Sequence, residues 1–275
     1  MENTKRMKMF KRGVLGLLLM LGVGMTLCGT GHGAVIEGSL VVTDVTPVMF
    51  SVVWGTQEPA RGSVSVFFDA EGTKPVTGAV IKPQSPEHPP AEEIGVMKVD
   101  VMGLRPDTEY FFRTQTTLKR NNAVHESSLT PVRTEKASVI VRNDVLVQKV
   151  DIVGSDPGPG MLVIASLEAA SHPITGWMAD GVPEGWAAID TNNFYSKQTR
   201  VNLELFGGEV ITLKLFAGFL GSAETVETIP AETGGIQKLS RAVSLTVSGG
   251  AEGVTGAAGA SGGGGGGCFI SSIME

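Results

Sequence analysis

Apolar and polar residues alternate with a period of two along much of residues 39–136, the pattern of strands that bury one face. Residues 40–42 lead through Thr43, Asp44 and Pro47 into residues 49–54, where Phe50, Val52 and Trp54 fall on one side. Residues 57–62 read as a turn, after which Val64, Val66 and Phe68 again share a face. Residues 69–93 are proline-rich and loop-like, with one short edge strand expected at 76–81. Alternation returns at Met97, Val99 and Val101, turns at Gly103-Leu104-Arg105-Pro106 and resumes with Tyr110 and Phe112. Leu104 is expected to plug this corner. Pro106 fixes φ there and removes a donor, and the hydroxyl of a buried Tyr110 is expected to bond backbone at the turn. A loop at 119–128 and a last strand at 130–134 complete the unit.

The pattern is looser in residues 137–248. Residues 139–141, 145–150 and 161–166 read as strands, with a glycine- and proline-rich loop at 154–160. Val201, Leu203 and Leu205 alternate, Gly207-Gly208 offers a hairpin turn, and Ile211, Leu213 and Leu215 alternate back. Val243, Leu245 and Val247 close the run. No helical period persists for more than two turns. The expected fold class is therefore all-β, with one β-sandwich at 35–136 and a second at 137–248. The alternative for the second is an irregular extension packed on the first.

Three stretches of the first unit carry a resemblance. Val45 and Phe50-Ser51-Val52-Val53-Trp54, then Gly103-Leu104-Arg105-Pro106-Asp107-Thr108-Glu109-Tyr110, then Thr130-Pro131-Val132-Arg133-Thr134, together resemble a fibronectin type III domain. The turn Gln57-Glu58-Pro59-Ala60-Arg61-Gly62 looks like the variety found in bacterial secreted proteins. The resemblance implies a seven-stranded Greek-key sandwich of immunoglobulin-like type. Ala60-Arg61-Gly62-Ser63 lacks the acid of an integrin-type adhesion motif, so that activity does not carry over.

Both ends of the chain change character. Lys5, Arg6, Lys8, Lys11 and Arg12 precede an apolar run at 14–27, and small residues follow at 29–34. That run is short for a membrane span and holds Gly22 and Gly24, so residues 1–34 read as a signal peptide, with an uncleaved anchor as the alternative. Leu27 before Cys28 disfavours a lipoprotein site, and Leu18 disfavours a prepilin site after Gly13. Residues 249–267 are almost wholly Gly, Ala, Ser and Thr and end in six glycines, the composition of a flexible linker. Cys268-Phe269-Ile270 follows, and the glycine run leading into it resembles the C-terminal tails of some bacterial exported proteins, a resemblance that implies a sorting or processing signal. Residues 271–275 carry no apolar span or basic cluster after it. On its glycine arm, Cys268 is the candidate for processing, anchoring or cross-linking.

Composition sharpens this reading. Hydrophobic residues make up 42% of the 275, charged residues only 18%, and glycine is in excess at 37. The 22 basic and 28 acidic residues give a net charge of −6; residues 1–34 hold five of the former and one of the latter, so the mature chain carries −10. An acidic surface repels nucleic acid and anionic lipid, and neither is an expected partner. Loss of Cys28 leaves Cys268 alone, so no internal disulfide supports the exported domains.

The chemistry of an enzyme is not legible. His88, His125 and His172 stand in no metal-ligand spacing and near no carboxylate cluster, so neither a metal nor another cofactor is expected. Ser171 and His172 are adjacent, which positions nothing by itself, and no Gly-x-Ser-x-Gly elbow occurs. Asp151, Asp156, Asp180 and Asp190 match no calcium-loop spacing and read as solvated turn acids. Trp177, Trp186, Phe194 and Tyr195 crowd one region; they are core plugs or, for Trp177, Trp186 and Tyr195, a face that stacks on sugar rings. The expectation is an exported, non-catalytic protein of the periplasm, outer surface or extracellular space, a spacer or binding scaffold. Its expected partner is a protein or polysaccharide of the envelope. The alternative is a carbohydrate-binding accessory protein.

Overall fold

The structure, a computed structural model, describes residues 35–88, 90–153, 160–231 and 235–246. Residues 1–34, read above as a signal peptide, and Asp156, Val247 and Cys268 lie outside the described residues. The alternating stretches of the first unit form β1 (Val41–Thr43), β2 (Met49–Gly55), β3 (Ala60–Phe67), β4 (Val80–Pro83), β5 (Val96–Met102), β6 (Glu109–Leu118), β7 (Val124–Glu126) and β8 (Thr130–Arg133). A single-turn helix, α1 (Pro90–Glu93), precedes β5. One sheet has the order β1-β2-β5-β4; the other has the order β3-β6-β7, with β8 also paired to β6. Every pairing in both is antiparallel.

Between these sheets lies a core built from the inward positions of the pattern: Phe50, Val52, Trp54, Val64, Val66, Met97, Val99, Val101, Tyr110 and Phe112. On β6 the alternation runs its full length, so Thr114 and Thr116 also point inward. Thr116 is polar for a reason: its hydroxyl accepts the indole N–H of buried Trp54 at 2.9 Å. Phe68 departs from expectation, because β3 ends at Phe67 and Phe68 is exposed, its ring 5.6 Å from that of Tyr110. The corner behaves as expected. Tyr110 is buried and its hydroxyl accepts the backbone N–H of Arg105 at 2.9 Å. Tyr110→Phe removes that acceptor and should cost about 1 kcal/mol, read from the urea midpoint; an unchanged midpoint would show the bond to be dispensable.

The second unit contains β9 (Val145–Val153), β10 (Leu162–Leu167), β11 (Ile174–Trp177), β12 (Trp186–Asp190), β13 (Val210–Phe216), β14 (Ser222–Thr228), β15 (Ile236–Lys238) and β16 (Val243–Thr246). One sheet runs β11-β10-β13-β14 and is antiparallel throughout. In the other, β9 is central, antiparallel to β12 and parallel to both β15 and β16. Leu146, Val150, Val163, Ala165, Ile174, Ile189, Ile211, Leu213, Val243 and Leu245 fill the space between them.

Two strand expectations fail here, for one physical reason. Residues 139–141 are not a strand: Val139 is 85% exposed, and the Val141 N–H is held by the Asn202 side chain at 2.6 Å. Residues 201–205 are not a strand either. Asn143 takes the Leu203 carbonyl on its amide and the Leu205 N–H on its oxygen, so side-chain amides replace a ladder. Gly207-Gly208 makes no hairpin; Gly207, at φ 85°, instead lies so close to Pro230 and Ala231 that a Cβ would collide with backbone.

A third core joins the two units. Val53 and Val96 sit on the faces of β2 and β5 that point away from the first core, and they pack with Leu162, Ile164, Trp177 and Phe216. Ala91 of α1 completes this layer. Gly218 permits the contact at one edge: its missing Cβ would fall 1.9 Å from the Ile94 carbonyl oxygen, and the next N–H, of Phe219, bonds that oxygen at 3.0 Å. The result is a stack of four sheets with three apolar layers between them. Among the described residues no helix is long and apolar enough to cross a membrane.

Candidate functional site at the junction of the two units

Lys98 and Asp100 lie on β5 between residues that face the first core, so period two points them outward, toward the second unit. Asp44 joins them from the turn after β1, held at a left-handed φ of 51°. Lys98 Nζ is 3.4 Å from Asp44 Oδ2 and 3.3 Å from Asp100 Oδ1; both aspartates are buried, and the lysine side chain is only 11% exposed. Ser51 donates to Asp100 Oδ1 at 2.7 Å. Asp44 reaches across the junction: Thr175 of β11 donates its N–H to Oδ1 at 2.9 Å and its hydroxyl to Oδ2 at 2.6 Å. The backbone follows, with the Asp44 N–H bonding the Pro173 carbonyl at 2.9 Å. Burial pulls the ammonium of Lys98 downward, yet the two carboxylates outweigh it and its pKa is raised.

A second polar cluster lies on the segment leaving β8. Glu135 is fully buried, and Arg200 Nε lies 3.2 Å from its Oε2. Ser171 donates its hydroxyl to Glu135 Oε1, and His172 Nδ1 stands 3.5 Å from the same oxygen without a hydrogen bond of its own. Arg200, itself at φ 60°, also donates from Nη2 to the Thr134 carbonyl and from Nη1 to Asp107 Oδ1 at 2.8 Å. Asp107 has φ 50° and is shared with Arg133 at 3.1 Å. Desolvation acts upward, but the charges and hydrogen bonds of the two guanidinium groups together lower its pKa overall. Burial, then the charge of Glu135, raises the phenol of Tyr195. Of the five non-glycine residues at positive φ among the described residues, these clusters hold three, so the backbone strain described is concentrated at the junction.

What this arrangement can do chemically is fasten. The Ser171 hydroxyl is engaged by Glu135 rather than by His172, so their adjacency makes no nucleophile–base pair. No group of three or more His, Cys, Asp or Glu among the described residues could hold a metal ion.

The aromatic candidates are not brought together on one surface. Trp177 is 7% exposed, inside the third core, with His88 stacked on it at 4.1 Å between ring centroids. Burial lowers the pKa of that histidine, against the opposing charges of Asp180 and Glu87. Tyr195 and Phe194 are buried as well. Trp186, on β12, is half-buried, lies under Lys238 Nζ at 5.1 Å, and borders a shallow depression with Lys149, Asp151 and Glu184. Of these candidates, Trp186 is the one whose ring is left partly open to a stacking partner. Of the acids expected in turns, Asp151 instead lies within β9, where it pairs with Lys149 at 2.9 Å, and Asp190 ends β12 and caps the short turn of Thr191–Asn193.

Sequence reasoning passed over Asp44, Lys98, Asp100, Glu135 and Arg200. One signal was available for the first three: β2 and β5 carry Val53 and Val96 on the face opposite the first core, which marks a sheet covered on both sides. No family model and no curated protein matches this chain.

Proposed function

We propose that this is an exported, non-catalytic protein whose two sandwiches act as one rigid scaffold at the cell envelope. The observation that carries the reading is the fused junction, where an apolar layer and two buried polar clusters tie the units together and consume the most heavily buried charged groups there. A flexible pair of binding beads has no use for such a seam, because inter-domain motion is the default unless the interface is large and apolar. Residues 35–136 are read as fibronectin type III-like. The strand order β1-β2-β5-β4 over β3-β6, with β7 and β8 both on β6, supports this, as does the Tyr110 corner. The leader and the Cys268 tail supply export and processing or anchoring, with a protein or polysaccharide of the envelope as partner.

Cell fractionation followed by intact-mass measurement tests this directly. The expected product is an envelope or extracellular protein that lacks the leader and is cleaved or modified near Cys268. An unprocessed chain in the cytosol overturns the reading, as does turnover by the purified protein on a broad hydrolase panel. Polysaccharide retention that is abolished by Trp186→Ala would transfer the conclusion to a carbohydrate-binding accessory.

A further inference from the structure

The chain enters the second sandwich at Val145, the first residue of β9, and continues from Thr246, the last residue of β16, toward the glycine-rich tail. These strands are parallel neighbours, in register from Val150 with Val243 to Val153 with Thr246. Val145 and Val153 lie roughly 26 Å apart along the strand at the usual rise of about 3.3 Å per residue. The points of arrival and departure are therefore at opposite ends of one strand pair.

Parallelism decides how tension acts on that pair. The first sandwich is fused to the second through the third core, so its load holds the second unit, and β9 within it through β12, while a pull on the tail draws β16 forward along the axis that it shares with β9. The two strands are then sheared, and their ladder bonds, evenly spaced in a parallel pair, take the load together. In an antiparallel hairpin such as β13–β14, tension on the two free ends opens the bonds one at a time. Sliding β16 also drags Val243 and Leu245, both buried, out of a core they share with Val150. On its other side β9 is held by β12 through the register Val145–Asp190 to Lys149–Trp186, so the strand that must stay is anchored in mid-sheet.

We propose that the β9–β16 pair is a shear clamp that resists tension between the first sandwich and whatever holds the tail. It rests on the scaffold reading for its purpose but not for its mechanics. Forced unfolding is governed by the unfolding rate rather than by equilibrium stability. Substitutions on the clamp and off it should therefore separate under load even where they look alike in a melt.

The experiment is constant-load unfolding of the full chain in optical tweezers, with Cys28→Ser. Handles are attached through Val139→Cys, in the exposed segment before β9, and through native Cys268. Leu245→Ala should raise the unfolding rate on the order of tenfold or more. Ile174→Ala lies in the same core but on β11, and should raise it less than about threefold while lowering the thermal midpoint comparably. Equal acceleration by both, or none by Leu245→Ala, overturns the clamp. Should the alanine variants not fold, Leu245→Val against Ile174→Val carries the same comparison. A failed clamp leaves the scaffold reading standing, whereas turnover on the hydrolase panel removes the scaffold and leaves the clamp.

Discussion

Arg200→Ala should destabilise the folded chain by about 3–5 kcal/mol, because it strands a buried carboxylate without its cation. Glu135 is fully buried, and Arg200 is the residue that both faces its Oε2 and ties it to the Thr134 carbonyl. Ser171 would remain on Oε1, but a hydroxyl supplies a hydrogen bond and no charge. The measurement is the urea midpoint, backed by a fall in Tm of roughly 10 °C or more for a chain of this size. Arg133→Ala is the control, since Arg133 meets Asp107 where both are exposed, and its midpoint should not move. Glu135→Leu in the Arg200→Ala background should recover much of the loss, because the cost lies in the unpaired charge rather than in the missing contact. If Arg200→Ala melts with the native chain, the cluster is ornament and the junction is held by its apolar layer alone.

The same residues show how far the sequence could be read. Strands of the first unit follow from period two, and the hydroxyl of Tyr110 sits where a buried phenol at a proline corner has to sit. Such features are local, written within a few residues of one another. The Glu135–Arg200 pair spans 65 positions with no shared period, so nothing in the text between them announces it. Residues 139–141 are β-branched, yet they stay out of any sheet because Asn202 and Asn143 hold their neighbourhood. Propensity loses there to side-chain amides that satisfy the backbone more specifically than a ladder could. Trp177 was legible as core or as binding surface. What decided it was Val53 and Val96, whose apolar side chains lie outside the first core and are covered by Leu162, Ile164, Trp177 and Phe216 of the second unit.

Lys98→Met tests the other half of the junction and should cost about 3–5 kcal/mol at neutral pH, since it leaves Asp44 and Asp100 buried near each other without the ammonium between them. Its pH dependence has a definite sign. The pKa of Lys98 is raised in the folded state, so its contribution is complete below the unfolded lysine value of about 10.4 and is lost as pH rises through the folded value. The stability difference between native and variant chains should therefore be level from neutral pH to about 10 and shrink above it. Lys98→Arg, which keeps the charge, should retain most of the stability. A difference that stays constant far into alkali, or a methionine variant as stable as the native chain, would sink this account. Apolar packing alone does not choose among nearby offsets of one sheet on another, because dispersion contacts are non-directional. Asp44 does choose, since its two oxygens meet the N–H and hydroxyl of one residue, Thr175, and any slip of the second sandwich breaks both bonds at once.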